Sequence, residues 1–258
     1  MLVQNFHPRL FISTATNTQS NGAVANIYLR QPIELPSDAR NVTISVTSAT
    51  FWYNFPNITG KSWYLYLDGI EHRAVIPDGL YGLAELGAQL SRVLTNLGLD
   101  PERITIGGDD STQKILFQFN SGLLTDAIRF NATDSLYDLL GVPYGTTVAP
   151  TVVPGVVSAT KVAAFNTVNS VIIQSDLVQG IPKNGDFDGT IAQIPLTVFP
   201  GSQQTFQPSV PIQIPANGLV GRTISDVQFR LCNEQGVLLN TLGESFSVGL
   251  LITYYTRV

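Results

Sequence analysis

Charged and reactive side chains are scarce in this chain of 258 residues. Asp, Glu, Lys and Arg make up 13% of it, about half the roughly 25% that an ordinary soluble domain carries. The apolar share of 44% is normal and excludes an intrinsically disordered chain. The single cysteine, Cys232, cannot form an internal disulfide and has no histidine near it in sequence to complete a thiolate metal site. Packing alone must therefore hold the fold.

Only two histidines are present, which limits acid–base catalysis. His7 stands beside Pro8, and His72 lies between Glu71 and Arg73, as is typical of a solvated strand face. A catalytic base needs a partner that orients it. The sequence contains no Gly-x-Ser-x-Gly elbow, Walker-type loop or His-Glu-x-x-His helix. We therefore expect no enzymatic activity and no catalytic residues; a hydrolase dependent on His72 is the remaining enzymatic alternative.

Metal and cofactor sites are not expected either. The segment Asn184 to Gly189 places Asp186 and Asp188 at alternate positions before a glycine, which imitates the opening of a calcium loop. Such a loop needs a carboxylate six residues after its glycine, and that position is Pro195. The segment is interpreted as a polar turn between strands.

The charge pattern and the apolar runs bear on partners and location. The 14 basic residues are spread along a chain with a pI near 4.9, whereas proteins that bind phosphates cluster theirs. Direct nucleic-acid binding is not expected. No run reaches the roughly 18 apolar residues of a membrane span, and the first residues do not follow the pattern of a secretory signal. We expect a chain that is made inside the cell, without a secretory signal, and is not inserted into a membrane.

Short alternating runs between Gly and Pro turns predict an all-β protein. In Asn41–Thr47, apolar and hydroxyl residues alternate, as in a strand with one buried face. Asp68 and Gly69 separate two such runs and predict a hairpin, and Pro32 confines its own strand to an edge or a bulge. Beyond residue 157 the pattern predicts strands only, up to Tyr255. The predicted fold class is a jelly-roll β-sandwich.

Two helices interrupt the predicted strands in the N-terminal half. Leucines and a valine recur every three or four residues over 80–97, which predicts one amphipathic helix that stops at Gly98. Its stripe, from Leu83 to Leu97, is expected to cover a sheet, with docking to a partner as the alternative. A short helix is predicted over 135–140, before Gly141.

Composition divides the chain into four predicted regions. Residues 1–26 form an arm with one edge strand, and residues 27–141 a β-rich region that contains the helix over 80–97. Residues 142–157, rich in Pro, Gly, Thr and Val and free of charge, resemble a linker. Residues 158–258 then form the all-β jelly-roll region.

Several stretches across residues 27–256 resemble one viral family. These stretches are strand and turn patterns that lie at Asn41–Ile58, Ile76–Tyr81, Lys114–Phe117, Ser135–Gly141, Ser170–Leu177, Pro208–Pro211, Ile224–Leu231 and Phe246–Tyr255. The sequence is similar to penton-type and related minor capsid proteins of small double-stranded DNA viruses of eukaryotes with double-jelly-roll major capsids, the virophages and Polinton-like viruses. The resemblance implies a structural virion protein that forms a fivefold vertex with a major capsid protein, without a catalytic, cofactor or metal site.

Two other binding or structural roles remain open at this stage. A carbohydrate-binding β-sandwich of a viral fibre or lectin type would use an aromatic platform at Phe51–Tyr53 and Trp63–Tyr66. A small major or cementing capsid protein is the other. Low charge, nine tyrosines and thirteen phenylalanines suit surfaces that become buried against neighbouring proteins.

Overall fold

The computed structural model of the chain describes residues 2–12, 22–178, 182–183, 186–187 and 189–257. These residues form many strands and one α-helix. In chain order the elements are β1 (Leu2–Ile12), β2 (Val24–Glu34), β3 (Arg40–Trp52), β4 (Ser62–Leu67), β5 (Ile70–Val75), α1 (Leu83–Asn96), β6 (Ile104–Asp109), β7 (Lys114–Phe119), β8 (Ala127–Arg129), β9 (Thr147–Val148), β10 (Gly155–Val162), β11 (Ser170–Ser175), β12 (Pro182–Lys183), β13 (Asp186–Phe187), β14 (Thr190–Pro195), β15 (Gln203–Phe206), β16 (Ile214–Pro215), a 3-10 turn (Asn217–Leu219), β17 (Thr223–Cys232) and β18 (Ser247–Arg257).

Residues 1–55 and 168–258 form one compact unit, here called the jelly-roll unit. One of its antiparallel sheets has the order β1-β18-β3-β15, with β16 also paired to β3, and the other has the order β14-β11-β17-β2. Counting β15 and β16 as one interrupted strand, and leaving aside the small β12–β13 hairpin, the unit has eight strands whose sheet orders are 1-8-3-6 and 2-7-4-5. This interleaving is that of a jelly roll. The predicted fold class is confirmed.

Alternation builds the core of this unit. On β3, Val42, Ile44 and Val46 are buried and pack with residues of both sheets, including Ile173 and Phe229. The predicted edge position of the strand around Pro32 is confirmed, because β2 closes one end of its sheet and its pairing with β17 shifts register between Ile224 and Asp226. Proline has no N–H to donate to a neighbouring strand, so within a sheet it is tolerated only at such an edge or irregularity.

Residues 56–167 form the second compact unit, here called the inserted unit, which enters the chain between β3 and β11. It has a three-stranded sheet of order β10-β7-β6 and a four-stranded sheet of order β5-β4-β8-β9. The hairpin predicted at Asp68 and Gly69 is confirmed, and both residues have the positive φ angles that its two-residue turn requires. A separate core fills this unit, with Trp63, Phe117, Phe119 and Phe130 among its largest side chains.

The amphipathic helix forms but is shorter than predicted. α1 starts after Gly82, whose N–H donates to the Glu85 carboxylate, and Gly98 follows its end with a φ of 74°. Leu86, Leu90, Val93 and Leu94 are buried in the core of the inserted unit, so the stripe covers a sheet, as expected. Leu97 does not belong to it; at the C-cap of the helix its side chain is exposed.

The short helix predicted over 135–140 is wrong, because these residues form consecutive turns. Side chains in this segment form hydrogen bonds with nearby backbone groups. Ser135 Oγ donates to the Ala132 carbonyl, and Asp138 Oδ1 accepts the Leu139 N–H, which are local bonds that oppose a regular helix. Leu136, Leu139 and Leu140 are nevertheless buried, so the apolar spacing reflects packing of a turn.

The structure divides the chain at other places than composition suggests. β1, in the predicted arm 1–26, pairs along its length with β18, and Ala23 and Ala25 belong to the core. The stretch 142–157 contains β9 and the start of β10 and lies inside the inserted unit, because its apolar residues Val142, Val148 and Val157 pack against that core. The compact units instead meet in sequence at residues 55–56 and 167–168.

Candidate interaction surface

The residues weighed for catalysis or metal binding do not converge. His72 lies half-buried on β5, and the backbone of His7 is part of β1. The backbone of Asp186 belongs to β13, while Asp188 falls outside the described residues. Among the residues that the structure describes, no three His, Cys, Asp or Glu side chains are grouped as metal ligands. Within the same part of the chain, no helix has the length and apolar character to cross a bilayer.

The aromatic platform considered from the sequence is not formed as one surface; of its first run, Phe51–Tyr53, only Trp52 is exposed, by 39%. Trp63 is 1% exposed in the core of the inserted unit, and Phe51 and Tyr53 are buried in the core of the jelly-roll unit. Alternation on a strand sends every second side chain inward, so a run of adjacent aromatics cannot present all its rings on one face. Trp63 is therefore not available to stack on a sugar.

Tyr64 and Tyr66 do lie on the outer face of β4, but charged side chains engage them. The Tyr64 hydroxyl donates to Asp134 at 2.7 Å, and Arg73 donates to the same carboxylate at 2.8 Å. The bond from Tyr64, followed by that from Arg73, lowers the pKa of Asp134 from 3.8 to about 2. The Arg129 guanidinium lies over the Tyr66 ring, 4.3 Å from its centroid. These contacts stabilise the sheet face of the inserted unit.

An ion network around the buried Arg103 in the inserted unit was not predicted from sequence. Arg103 donates to Asp126 at 2.6 and 2.9 Å and to Asp68 at 2.6 and 2.8 Å. Asp126 also accepts the backbone N–H groups of Asp68 and Leu123. Gly122, with a φ of 103°, lies so close that an added Cβ would overlap Asp126 Oδ2. The four bonds from Arg103 join separate loops of the inserted unit.

The most distinctive surface feature is an apolar groove at one edge of the jelly-roll unit, of about 280 Å³. Its lining comes from β3, β14, the end of β15 and the segment between β15 and β16, and consists of Val46, Ile191, Ala192, Gln193, Phe206, Pro208, Val210 and Ile212. Val46 and Ile191 are buried, while Val210 and Ile212 are 79% and 76% exposed. Gln193, the one polar residue of this lining, donates to Ser170 Oγ. The groove offers apolar contact and no charge.

The groove exists because the edge strand of one sheet is interrupted. β15 pairs with β3 at residues 49–52 and β16 pairs with it again at Thr43 and Ile44. Between them, residues 207–213 leave the sheet. This segment contains Pro208 and Pro211, which have no N–H to donate to a ladder. Prolines and interruptions of this kind keep the edge of a sheet from pairing with strands of other chains. A partner at this edge would therefore contact the side chains of the segment and not a row of backbone hydrogen-bonding groups.

The opposite edge of the jelly-roll unit is also apolar. β1 ends one sheet and β2 ends the other. Leu2, Val3 and Phe6 of β1 are exposed, Phe6 by 55%, and Tyr28 of β2 by 82%. Monomeric proteins rarely expose apolar patches of this kind unless the patches contact a partner.

Sequence reasoning missed the groove, although a signal for it is present. From Gly189 to Gly221 the chain contains no Asp, Glu, Lys or Arg, and this run supplies most of the groove lining. Depletion of charge is typical of the centre of protein interfaces.

Comparison with known proteins yields structural relatives only. No protein-family model and no curated protein sequence matches the chain. Among the solved structures that are similar to it are two of viral proteins. The penton protein of mavirus has 9% identity and a TM-score of 0.49 over 97% of this chain and 99% of its own. A chain in the cryo-EM structure of the Sputnik virophage has 13% identity and a TM-score of 0.41 over 96% of this chain and 97% of its own.

Proposed function

We propose that this chain is a structural virion protein, a capsid vertex subunit that assembles with copies of itself and with a major capsid protein. The exposed apolar side chains on both edges of its jelly-roll unit carry this proposal. Val210 and Ile212 on one edge and Phe6 and Tyr28 on the other are exposed to water in the isolated chain. Burial against neighbouring subunits would remove this surface from water, which is favourable by about 25 cal/mol per Å² of apolar area.

The sequence resemblance to penton-type capsid proteins supplies the more specific part of the proposal. It suggests a ring of five copies and a place in the virion. A jelly roll has two lateral edges, and a ring of identical subunits joins one edge to the other when the rotation closes. Neither a nucleic-acid contact nor a membrane anchor is part of the proposal.

Particle assembly with the major capsid protein of the same virus tests the proposed function. We expect the chain to enter the particles, and a cryo-EM reconstruction should show it at the fivefold axes. Density for it at sixfold or pseudo-sixfold positions, with another chain at the fivefold axes, would contradict the vertex role and favour a major or cementing role. Particles that assemble without the chain would contradict both.

A further inference from the structure

We infer that identical copies of this chain associate head to tail, with the exposed apolar edge of β1 in one copy seated in the apolar groove of the next. The groove side of this contact is the segment that carries Val210 and Ile212, and the edge side is Leu2, Val3 and Phe6. This contact rests on the proposed function and adds to it the two surfaces that meet.

Sheet topology places the two surfaces on opposite edges of one sandwich. β1 and β2 end their sheets on one side, whereas β14 and β15 end the same sheets on the other. The groove confirms that β14 and β15 share an edge, since Ile191 of β14 and Phe206 of β15 line it together with Val46. Two different surfaces on opposite edges can join only in a heterologous contact, the type that builds rings.

The chemistry of the two surfaces matches. Residues 1–8 contain no Asp, Glu, Lys or Arg, and neither does the run from Gly189 to Gly221. Neither run therefore brings a charge of its own into the contact, where loss of water would cost several kcal/mol per ion. At the β1 and β2 edge, Leu2 pairs with the exposed Arg257 and Tyr28 with the exposed Asp226; both charges would stay in water at the rim of the contact. One surface is concave, with a buried floor at Val46 and Ile191, and the other is an edge strand with side chains exposed on both faces, Leu2 and Phe6 on one and Val3 on the other. An isologous contact of groove with groove would leave the β1 edge exposed.

A second copy is the occupant that this match favours. The counter-surface is present on the chain itself and is likewise formed by exposed apolar side chains, so a foreign partner is not needed to cover either edge. Tyr28 lies on the neighbouring edge strand β2 and is also exposed, so it adds an aromatic side chain of the kind that dominates interface energetics.

Cysteine cross-linking tests the contact. Phe6→Cys and Val210→Cys are made in separate chains, which are mixed and treated with a short bismaleimide; the native Cys232 is buried. We expect a cross-linked dimer in the mixture and in neither variant alone, and a ladder of higher species from the doubly substituted chain. Val237→Cys, an exposed apolar position at another turn of the same unit, mixed with Phe6→Cys, is the matched control and should give no dimer.

The choice of sample allows the contact between copies to be tested separately from the proposed vertex function. Cross-linking is measured in purified particles if the chain enters them, and in concentrated solution if it does not. Particles that contain the chain at the vertices but yield no dimer from Phe6→Cys and Val210→Cys would overturn the contact and leave the proposed function intact. If the chain is absent from particles, the proposed function is overturned. In that case a cross-linked dimer of Phe6→Cys and Val210→Cys in solution would support the contact, and its absence would overturn the contact. A dimer from Val210→Cys alone would show an isologous contact and overturn the inference in either sample.

Discussion

At the scale of single residues, the inserted unit depends on charges that are satisfied within the chain. Arg103 and Asp126 have 8% and 1% exposed side chains and are joined at 2.6 Å. Removing one partner of a buried ion pair leaves the other uncompensated. We expect Arg103→Leu to lower the free energy of unfolding by about 3–5 kcal/mol, as measured by urea denaturation.

Arg129→Leu is the matched control for this substitution. Arg129 forms an ion pair with Glu71 at 3.3 Å, with 30% and 51% exposed side chains. Exposed pairs contribute about 0–1 kcal/mol, and Arg129 also packs on Tyr66, which adds a cation–π contact of about 0.5–1 kcal/mol. Equal losses in the two variants would contradict a structural role for the Arg103 network.

Asp134 should make the stability of the inserted unit sensitive to acid. Its hydrogen bonds from Tyr64 and Arg73 lower its pKa from 3.8 to about 2 in the folded chain. A carboxyl whose folded pKa is depressed contributes stability above its unfolded pKa, and this contribution is lost as the pH falls through the folded value. We expect the melting temperatures of wild type and Asp134→Asn to differ at about pH 5 and to converge toward about pH 2. A difference that stays constant over this range would contradict the assignment.

At the scale of secondary-structure elements, α1 covers its sheet with a few fully buried leucines. Leu90 has 0% exposure in the core of the inserted unit. We expect Leu90→Ala to lower the free energy of unfolding by about 2–5 kcal/mol. Arg92→Ala, an exposed position on the same helix, should change it by less than about 0.5 kcal/mol. If Leu90→Ala left the melting temperature unchanged and weakened binding to another protein, the helix would be a docking element.

Elements with local signals were predictable from the sequence. The Asp68-Gly69 hairpin, the edge strand at Pro32 and the helix end at Gly98 each depend on the conformational preferences of one or two residues. The turns at residues 135–140 were not, because their apolar spacing matches a helix, whereas the hydrogen bonds that Ser135 donates and Asp138 accepts are visible only in the structure.

Features that join distant parts of the chain could not be found in this way. The groove combines Val46 with residues 191–212, and Arg103 meets its two carboxylates from separate loops. The stretch 142–157 has the composition of a linker, yet its valines are part of the inserted core. Composition describes which residues occur, whereas burial depends on the strands that long-range pairing brings next to them.

At the scale of the whole molecule, two separate cores divide the stability of the chain. Every residue of one core lies in the jelly-roll unit, and every residue of the other lies in the inserted unit. Each sheet is also completed by strands of its own unit. A unit with its own core and complete sheets has what it needs to fold as a domain. We therefore expect the two units to unfold independently of each other.

The two tryptophans make this independence measurable, because Trp52 belongs to the jelly-roll unit and Trp63 to the inserted unit. Trp52→Phe leaves fluorescence from the inserted unit alone, and Trp63→Phe leaves it from the jelly-roll unit alone. In the Trp52→Phe background, we expect Leu90→Ala to lower the urea midpoint by the equivalent of about 2–5 kcal/mol. In the Trp63→Phe background, Leu90→Ala should leave the urea midpoint equal to that of the Trp63→Phe single variant. Equal shifts in both backgrounds would show that the units unfold as one cooperative domain, since a loss in either core would then destabilise the whole chain.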